Sequence, residues 1–184
     1  MAELCSETEL RTLTAAMAEP GETALAQAQA LIARYPEDAR LHFLSGSMLA
    51  GLSRWIEAHG ALSRAVALAP DFAIARFQLG FLQLTSGETI AAFETWGRLD
   101  ALADGHYLRT FVEGLRALAH DDFATTITKL RQGMANNHEN PPLNGDMQLI
   151  IDRCLPLLQD DGGEVGSETA LILRQFSDRP GRPN

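Results

Sequence analysis

Lysine is nearly missing from this sequence: Lys129 is the only one in 184 residues, and arginine supplies the other basic side chains. The formal net charge is −9, with a pI near 4.9. Binding to nucleic acid needs a basic stripe against the phosphates, so this balance excludes it. An anionic membrane surface is excluded on the same ground. Cysteine is scarce too. Cys5 and Cys154 stand at opposite ends of the chain with no metal-binding or redox partner beside them, which implies a reducing compartment and no disulfide framework. No apolar run approaches the ~18 residues that span a bilayer. The stretch from Met1 to Glu9 is acidic and polar, unlike a signal peptide. A cytoplasmic protein is expected, and the preference for Ala and Arg over Ser and Lys points to a GC-rich bacterial genome.

Signatures of chemistry are also missing. There is no Gly-rich phosphate loop ending in Gly-Lys, no dinucleotide fingerprint after a strand, and no Gly-x-Ser-x-Gly elbow. The five histidines, His42, His59, His106, His120 and His138, lack metal-ligand spacing. His42 and His59 fall on paired helices and could meet, but two histidines alone are a weak site. His120-Asp121-Asp122 reads as a solvated turn with an N-capping Asp. Trp55 and Trp96 fall at second-helix positions that suit core burial better than cofactor stacking. We therefore expect no catalytic residue, no metal and no cofactor.

What the sequence does contain is a period. Phe43, Phe77 and Phe111 stand 34 residues apart, and each is followed by Gly three positions later, at Gly46, Gly80 and Gly114. A gap-free period of this length marks a helical repeat array. The clearest unit covers 39–72, with Leu41, Leu44, Met48 and Leu49 on a first helix and a break at Gly51-Leu-Ser53. Its second helix carries Trp55, Ala58, Leu62, Ala65 and Leu68 and stops at Pro70. Units 73–106 and 107–140 repeat the plan. Residues 1–38 form a degenerate first pair, opened by a Ser6/Glu9 capping box and closed before Pro36. After Pro141-Pro142, Asn144 is placed to cap a helix with Met147, Ile150, Ile151, Cys154, Leu155 and Leu158 along one stripe. That helix, within 141–159, would close the open end of the array. Residues 160–184 read as an acidic Gly-rich linker, a short apolar patch (Ala170 to Leu173, with Phe176) and a Pro/Gly/Arg tail expected to be disordered.

These units resemble the tetratricopeptide repeat family. Gly46, Leu49, Ala58, Leu62, Ala65 and Pro70 match its pattern in the best unit, and Leu79, Gly80, Ala92, Trp96 and Leu99 match it in the next. Ala24 and Pro36 keep part of it in the first pair. Ser45, Glu113, Gln83 and Asp104 depart from the pattern. The resemblance covers about residues 5–140 and implies an all-α, right-handed helix-turn-helix solenoid of three full units. The glycines and Ala58 and Ala92 would let paired helices approach closely.

The resemblance also implies an inner, concave face lined by the first helices. Carried onto this chain, the lining is Arg40, Phe43, Ser47, Ala50 and Gly51, then Ile74, Phe77, Phe81, Leu84 and Thr85, then Leu108, Phe111, Leu115, Leu118 and Ala119. Relatives that grip a peptide carboxylate use Lys, Asn and Arg at such positions. Here phenylalanines stand in that row, and Arg40 alone is no clamp. The expected ligand is therefore an apolar helix or peptide of a protein partner. Phe43, Phe77, Phe81 and Phe111 are its proposed anchors, and Leu84, Leu108 and Leu115 its lining. The same phenylalanines could instead pack between units, or be covered in cis by the Leu171–Phe176 patch. Four functions remain open: an adaptor or scaffold, a secretion-chaperone-like holder of an apolar client, a self-associating structural protein (a homodimer through the last helix), and an enzyme with an unrevealed site.

Overall fold

The computed structural model describes residues 3–17, 21–158 and 168–177. These residues form ten α-helices, one 3-10 turn and no strand. Contacts divide the chain into a first unit, Met1–Gln83 with Ser177–Asn184, and a second, Leu84–Phe176, and each is described separately.

The first unit starts with α1 (Glu7–Ala16). Its expected capping box is present: Glu9 N–H donates to Ser6 Oγ, and Ser6 N–H donates to the Glu9 carboxylate. Helix α2 (Glu22–Arg34) stops ahead of Pro36, as the proline requires. Next come α3 (Ala39–Gly51), capped by Asp38, and α4 (Trp55–Leu68), which ends before Pro70. Helix α5 (Ala73–Thr85) carries the chain to the division. Serial neighbours pack on each other, α1 on α2, α2 on α3 and α3 on α4. Nearest-neighbour packing of this kind is consistent with a helical repeat. Their shared core holds Leu13, Leu25, Leu41, Leu49, Leu62, Leu79 and Leu82. Full burial of each such leucine contributes about 1.5–3 kcal/mol.

The second unit contains α6 (Thr89–Trp96), whose last turn tightens into a 3-10 segment (Gly97–Ala101). It continues with α7 (Tyr107–Leu118), α8 (Phe123–Asn136) and α9 (Leu143–Leu157). Again neighbours pack serially, α7 on α8 and α8 on α9. Helix α9 begins one residue ahead of Asn144, so Asn144 is not its cap. Its amide oxygen instead accepts from Asn137 Nδ2 at 2.8 Å, tying α9 to the end of α8. Met147, Ile150, Ile151 and Cys154 are buried as the stripe predicts, whereas Leu155 and Leu158 are exposed. The apolar patch beyond the linker is itself helical, as α10 (Glu168–Ser177). The linker and the final tail lie outside the described residues.

Two close approaches explain the repeated glycines. A Cβ on Gly46 would lie 2.7 Å from Leu62 Cγ, and one on Gly114 would lie 2.9 Å from Leu130 Cδ2. Any side chain there would push the paired helices apart. A second periodic feature lies in the turns. Ser53, Gly87 and Asp121, again 34 apart, all have positive φ (59°, 85° and 58°). In two of these turns the next N–H reaches back over the helix end, Arg54 to Leu49 O and Asp122 to Ala117 O. The left-handed residue is what makes that reversal possible.

Candidate functional site

The proposed lining falls on α3 and α5 in the first unit and on α7 in the second, with Leu84 just past the division. Arg40 is committed locally. Its guanidinium forms a two-pronged bond to Asp38 (Nε to Oδ1 3.0 Å, Nη2 to Oδ2 2.8 Å). It also donates to Glu7 Oε1 at 2.6 Å and to the Cys5 carbonyl at 2.8 Å. Asp38 in turn accepts from the backbone N–H of Cys5 and of Arg40. Burial pushes the Asp38 carboxyl up, but these bonds outweigh it and hold it below the usual range. Arg40 thus clasps the N-terminal segment to the start of α3.

Phe43, Ser47, Ile74 and Phe81 are each half-buried. The Phe43 ring lies against Phe72 with centroids 5.1 Å apart. Ser47 Oγ donates to Gln78 Oε1 at 2.7 Å, linking α3 to α5. Phe77 and Phe81 stack in parallel at 6.2 Å, with Phe77 at 0% exposure. On the first unit, then, the expected row is partly open to solvent and contains two accessible aromatic rings.

On the second unit the same row is closed. Leu84, Leu108, Phe111 and Leu115 are all buried, Phe111 at 0% exposure. The Phe111 ring rests on Gly133 of α8, where a Cβ would stand 2.5 Å from its Cδ1. Phe111 is part of the α7–α8 interface, between the two helices of one unit. Leu118, at the end of the row, presents its carbonyl to Thr169 of α10. Thr169 Oγ1 lies within bonding distance of that oxygen (3.0 Å) and of the Asp121 carboxylate. Ile172, Leu173 and Phe176, on one side of α10, are buried.

Other reactive groups have structural work. Burial pushes the Cys154 thiol up to about 12, and burial with the nearby Glu9 raises Cys5. Both are poor nucleophiles. Tyr107 rises to about 12 through burial and through Glu139. His42 bonds the Pro36 carbonyl, and His106 Nδ1 accepts from Leu108 N–H to cap α7. Asp122 caps α8 as expected, accepting from Thr125 N–H. Among the described residues no group of three or more His, Cys, Asp or Glu is placed to hold a metal ion, and no helix is long and apolar enough to cross a membrane.

Two surface features escaped the sequence reading. Ile56 and Ile90, at equivalent repeat positions, are 90% and 78% exposed on the second helices of their pairs. The 34-residue spacing that relates them was the available signal. Helices α9 and α10 also border an open pocket of about 440 Å³ lined by Arg153, Leu157, Leu171, Ile172 and Gln175. Comparison with protein-family models and with curated proteins finds no match.

Proposed function

We propose that the chain is a non-catalytic protein–protein interaction module of tetratricopeptide type that binds an apolar helix or peptide of a partner on its inner face. The observation that supports this most is the half-open aromatic row of the first unit. Phe43 and Phe81 are anchored by neighbouring rings yet remain accessible. Large, pre-positioned aromatic side chains are the residues that come to dominate such contacts. Arg40 is tied up in a local clasp, so the site offers no free cation there for a carboxylate, in keeping with an apolar ligand. The acidic, lysine-poor composition argues for a protein partner and against nucleic acid, and a cytoplasmic location is part of the same reading.

Paired variants test it. Phe43→Ala with Phe81→Ala should abolish co-purification of the partner while the helical signal persists. Ile56→Ala, on the opposite helix of its pair, should leave the partner bound. The reverse pattern would transfer the interaction to the second helices and overturn the proposal. A homodimer has one observation of its own in favour, the exposure of Leu155 and Leu158 on the last helix of the array. Sedimentation that stays monomeric across a concentration series would exclude it. An apolar exported client among the co-purifying proteins would specify the secretion-chaperone version of the module.

A further inference from the structure

The chain has five asparagines, and only Asn144 is followed by a glycine. That pair carries a chemistry of its own. Glycine has no Cβ, so its backbone nitrogen can approach the carboxamide carbon of the asparagine before it. The Gly145 nitrogen would bond to Asn144 Cγ, while its proton and the side-chain NH2 group leave together as ammonia. A water molecule then opens the five-membered ring. Attack at Cγ leaves aspartate. Attack at the Asn144 main-chain carbonyl leaves isoaspartate, with the backbone rerouted through the side chain. Water is the only co-reactant.

In the folded chain both reacting groups are engaged. Gly145 lies in the first turn of α9, where helical backbone keeps its nitrogen away from the carboxamide carbon. Its N–H donates to the Pro142 carbonyl at 3.2 Å. The Asn144 carboxamide is tied to the end of α8 at both ends: Oδ1 accepts from Asn137 Nδ2 at 2.8 Å, and Nδ2 donates to the Met134 carbonyl at 3.4 Å. Asn137 is itself buried, and its amide is fully spent. Its Nδ2 also donates to the Asn140 carbonyl, and its Oδ1 accepts from Asn140 N–H. Gly145 is exposed and Asn144 only half-buried, so water has access to the pair. What prevents ring closure is the junction of α8 with α9.

We propose that Asn144–Gly145 is a deamidation site locked by the α8–α9 junction, and that its conversion loosens α9. Either product loses the amide nitrogen that donates to Met134 and gains a negative charge. Isoaspartate also lengthens the main chain by one methylene inside the first helical turn. Met147, Ile150, Ile151 and Cys154, all buried, lie along the helix that starts from that turn. This inference involves no partner and no residue of the inner row, so it stands or falls apart from the function proposed above.

Peptide mapping by mass spectrometry tests the lock on the full chain, held at mildly alkaline pH with and without denaturing urea. In urea Asn144 should convert ahead of the other asparagines. In the folded chain it should convert at least about ten-fold more slowly, because only the locally opened fraction reacts. Asn137→Ala should raise the folded-state rate several-fold and leave the rate in urea unchanged. Should that variant fail to fold, Asn137→Ser, too short to reach Asn144, gives the same comparison. Equal rates with and without urea, or an Asn137 variant no faster than the intact chain, would overturn the lock.

The consequence for α9 is read at Cys154. Both cysteines are free and buried, and Cys5, in the first unit, serves as the internal reference. Once Asn144 has converted, alkylation of Cys154 should accelerate several-fold relative to Cys5. A Gly145→Ala chain aged in parallel, whose added Cβ hinders ring closure, should show no such change. Cys154 reactivity that is the same before and after conversion would show that α9 holds without the amide, and would overturn the proposal that conversion loosens it.

Discussion

Helices α3 and α7 hold equivalent places in the 34-residue period, yet their phenylalanines do different work. Both helices carry the close-approach glycine, Gly46 against Leu62 and Gly114 against Leu130. Phe43 remains half-buried beside Phe72, whereas Phe111 is fully enclosed on Gly133. The period places Ala65 where the later unit has Gly133, and Ala65 is itself fully buried. Phe77, between Phe43 and Phe111 in the series, is fully buried although Leu99 stands 22 positions downstream, so that position alone does not decide whether a repeated aromatic is core or surface.

The largest expected effect tests that contrast directly. Phe111→Ala should cost about 3–5 kcal/mol in urea unfolding, the range for a fully buried aromatic. Phe43→Ala should cost less, since Phe43 is only partly buried. Similar losses for both would erase the distinction. Next in size is Gly133→Ala, which sets a Cβ against the Phe111 ring. Overpacking of this kind costs about 1–3 kcal/mol, offset in part by the roughly 1 kcal/mol better helix propensity of alanine. A stabilised Gly133→Ala chain would mean that the ring moves freely.

A third prediction concerns acid and belongs to the first unit alone. Hydrogen bonds from Ser6, with Arg34 nearby, hold Glu9 down to about 2 from an ordinary 4.5, and Asp38 is lowered as well. A carboxylate lowered on folding stabilises the folded state above its unfolded value and loses that effect as pH falls through its folded value. Urea melts of the intact chain and Glu9→Gln should therefore differ at neutral pH and converge between pH 4.5 and about 2. A gap that does not change with pH would remove Glu9 from the account. Smallest is Ser53→Gly. Left-handed backbone costs a non-glycine residue about 1–2 kcal/mol, while glycine's looser unfolded state returns roughly 0.4–1 of it. The net gain should be below about 1 kcal/mol in thermal melts, and a loss would show that the Ser53 side chain contributes to the turn.

Much of the fold was legible because its causes are local. The capping box at Ser6 and Glu9, the stops before Pro36 and Pro70 and the glycine period each act within a few residues. The left-handed turn position was harder to see, since only Gly87 of its three members is glycine. The site was less legible for a different reason. Spacing puts Phe43, Phe77, Phe81 and Phe111 on equivalent helices, but their exposure depends on what the fold sets against each ring, as Gly133 is set against Phe111. Arg40 looked like a lone groove cation until Asp38, Glu7 and Cys5 were seen to engage it. Thr169 and Asp121 could not be paired from sequence at all, because 48 residues separate them and no period links them.

The central claim is that the periodic aromatic row is partly open on α3 and closed on α7. Hydroxyl-radical footprinting of the intact chain measures it most directly, by reading oxidation at Phe43 and Phe111 in one experiment. Phe43 should oxidise several-fold faster. Equal rates, or faster oxidation at Phe111, would contradict the account.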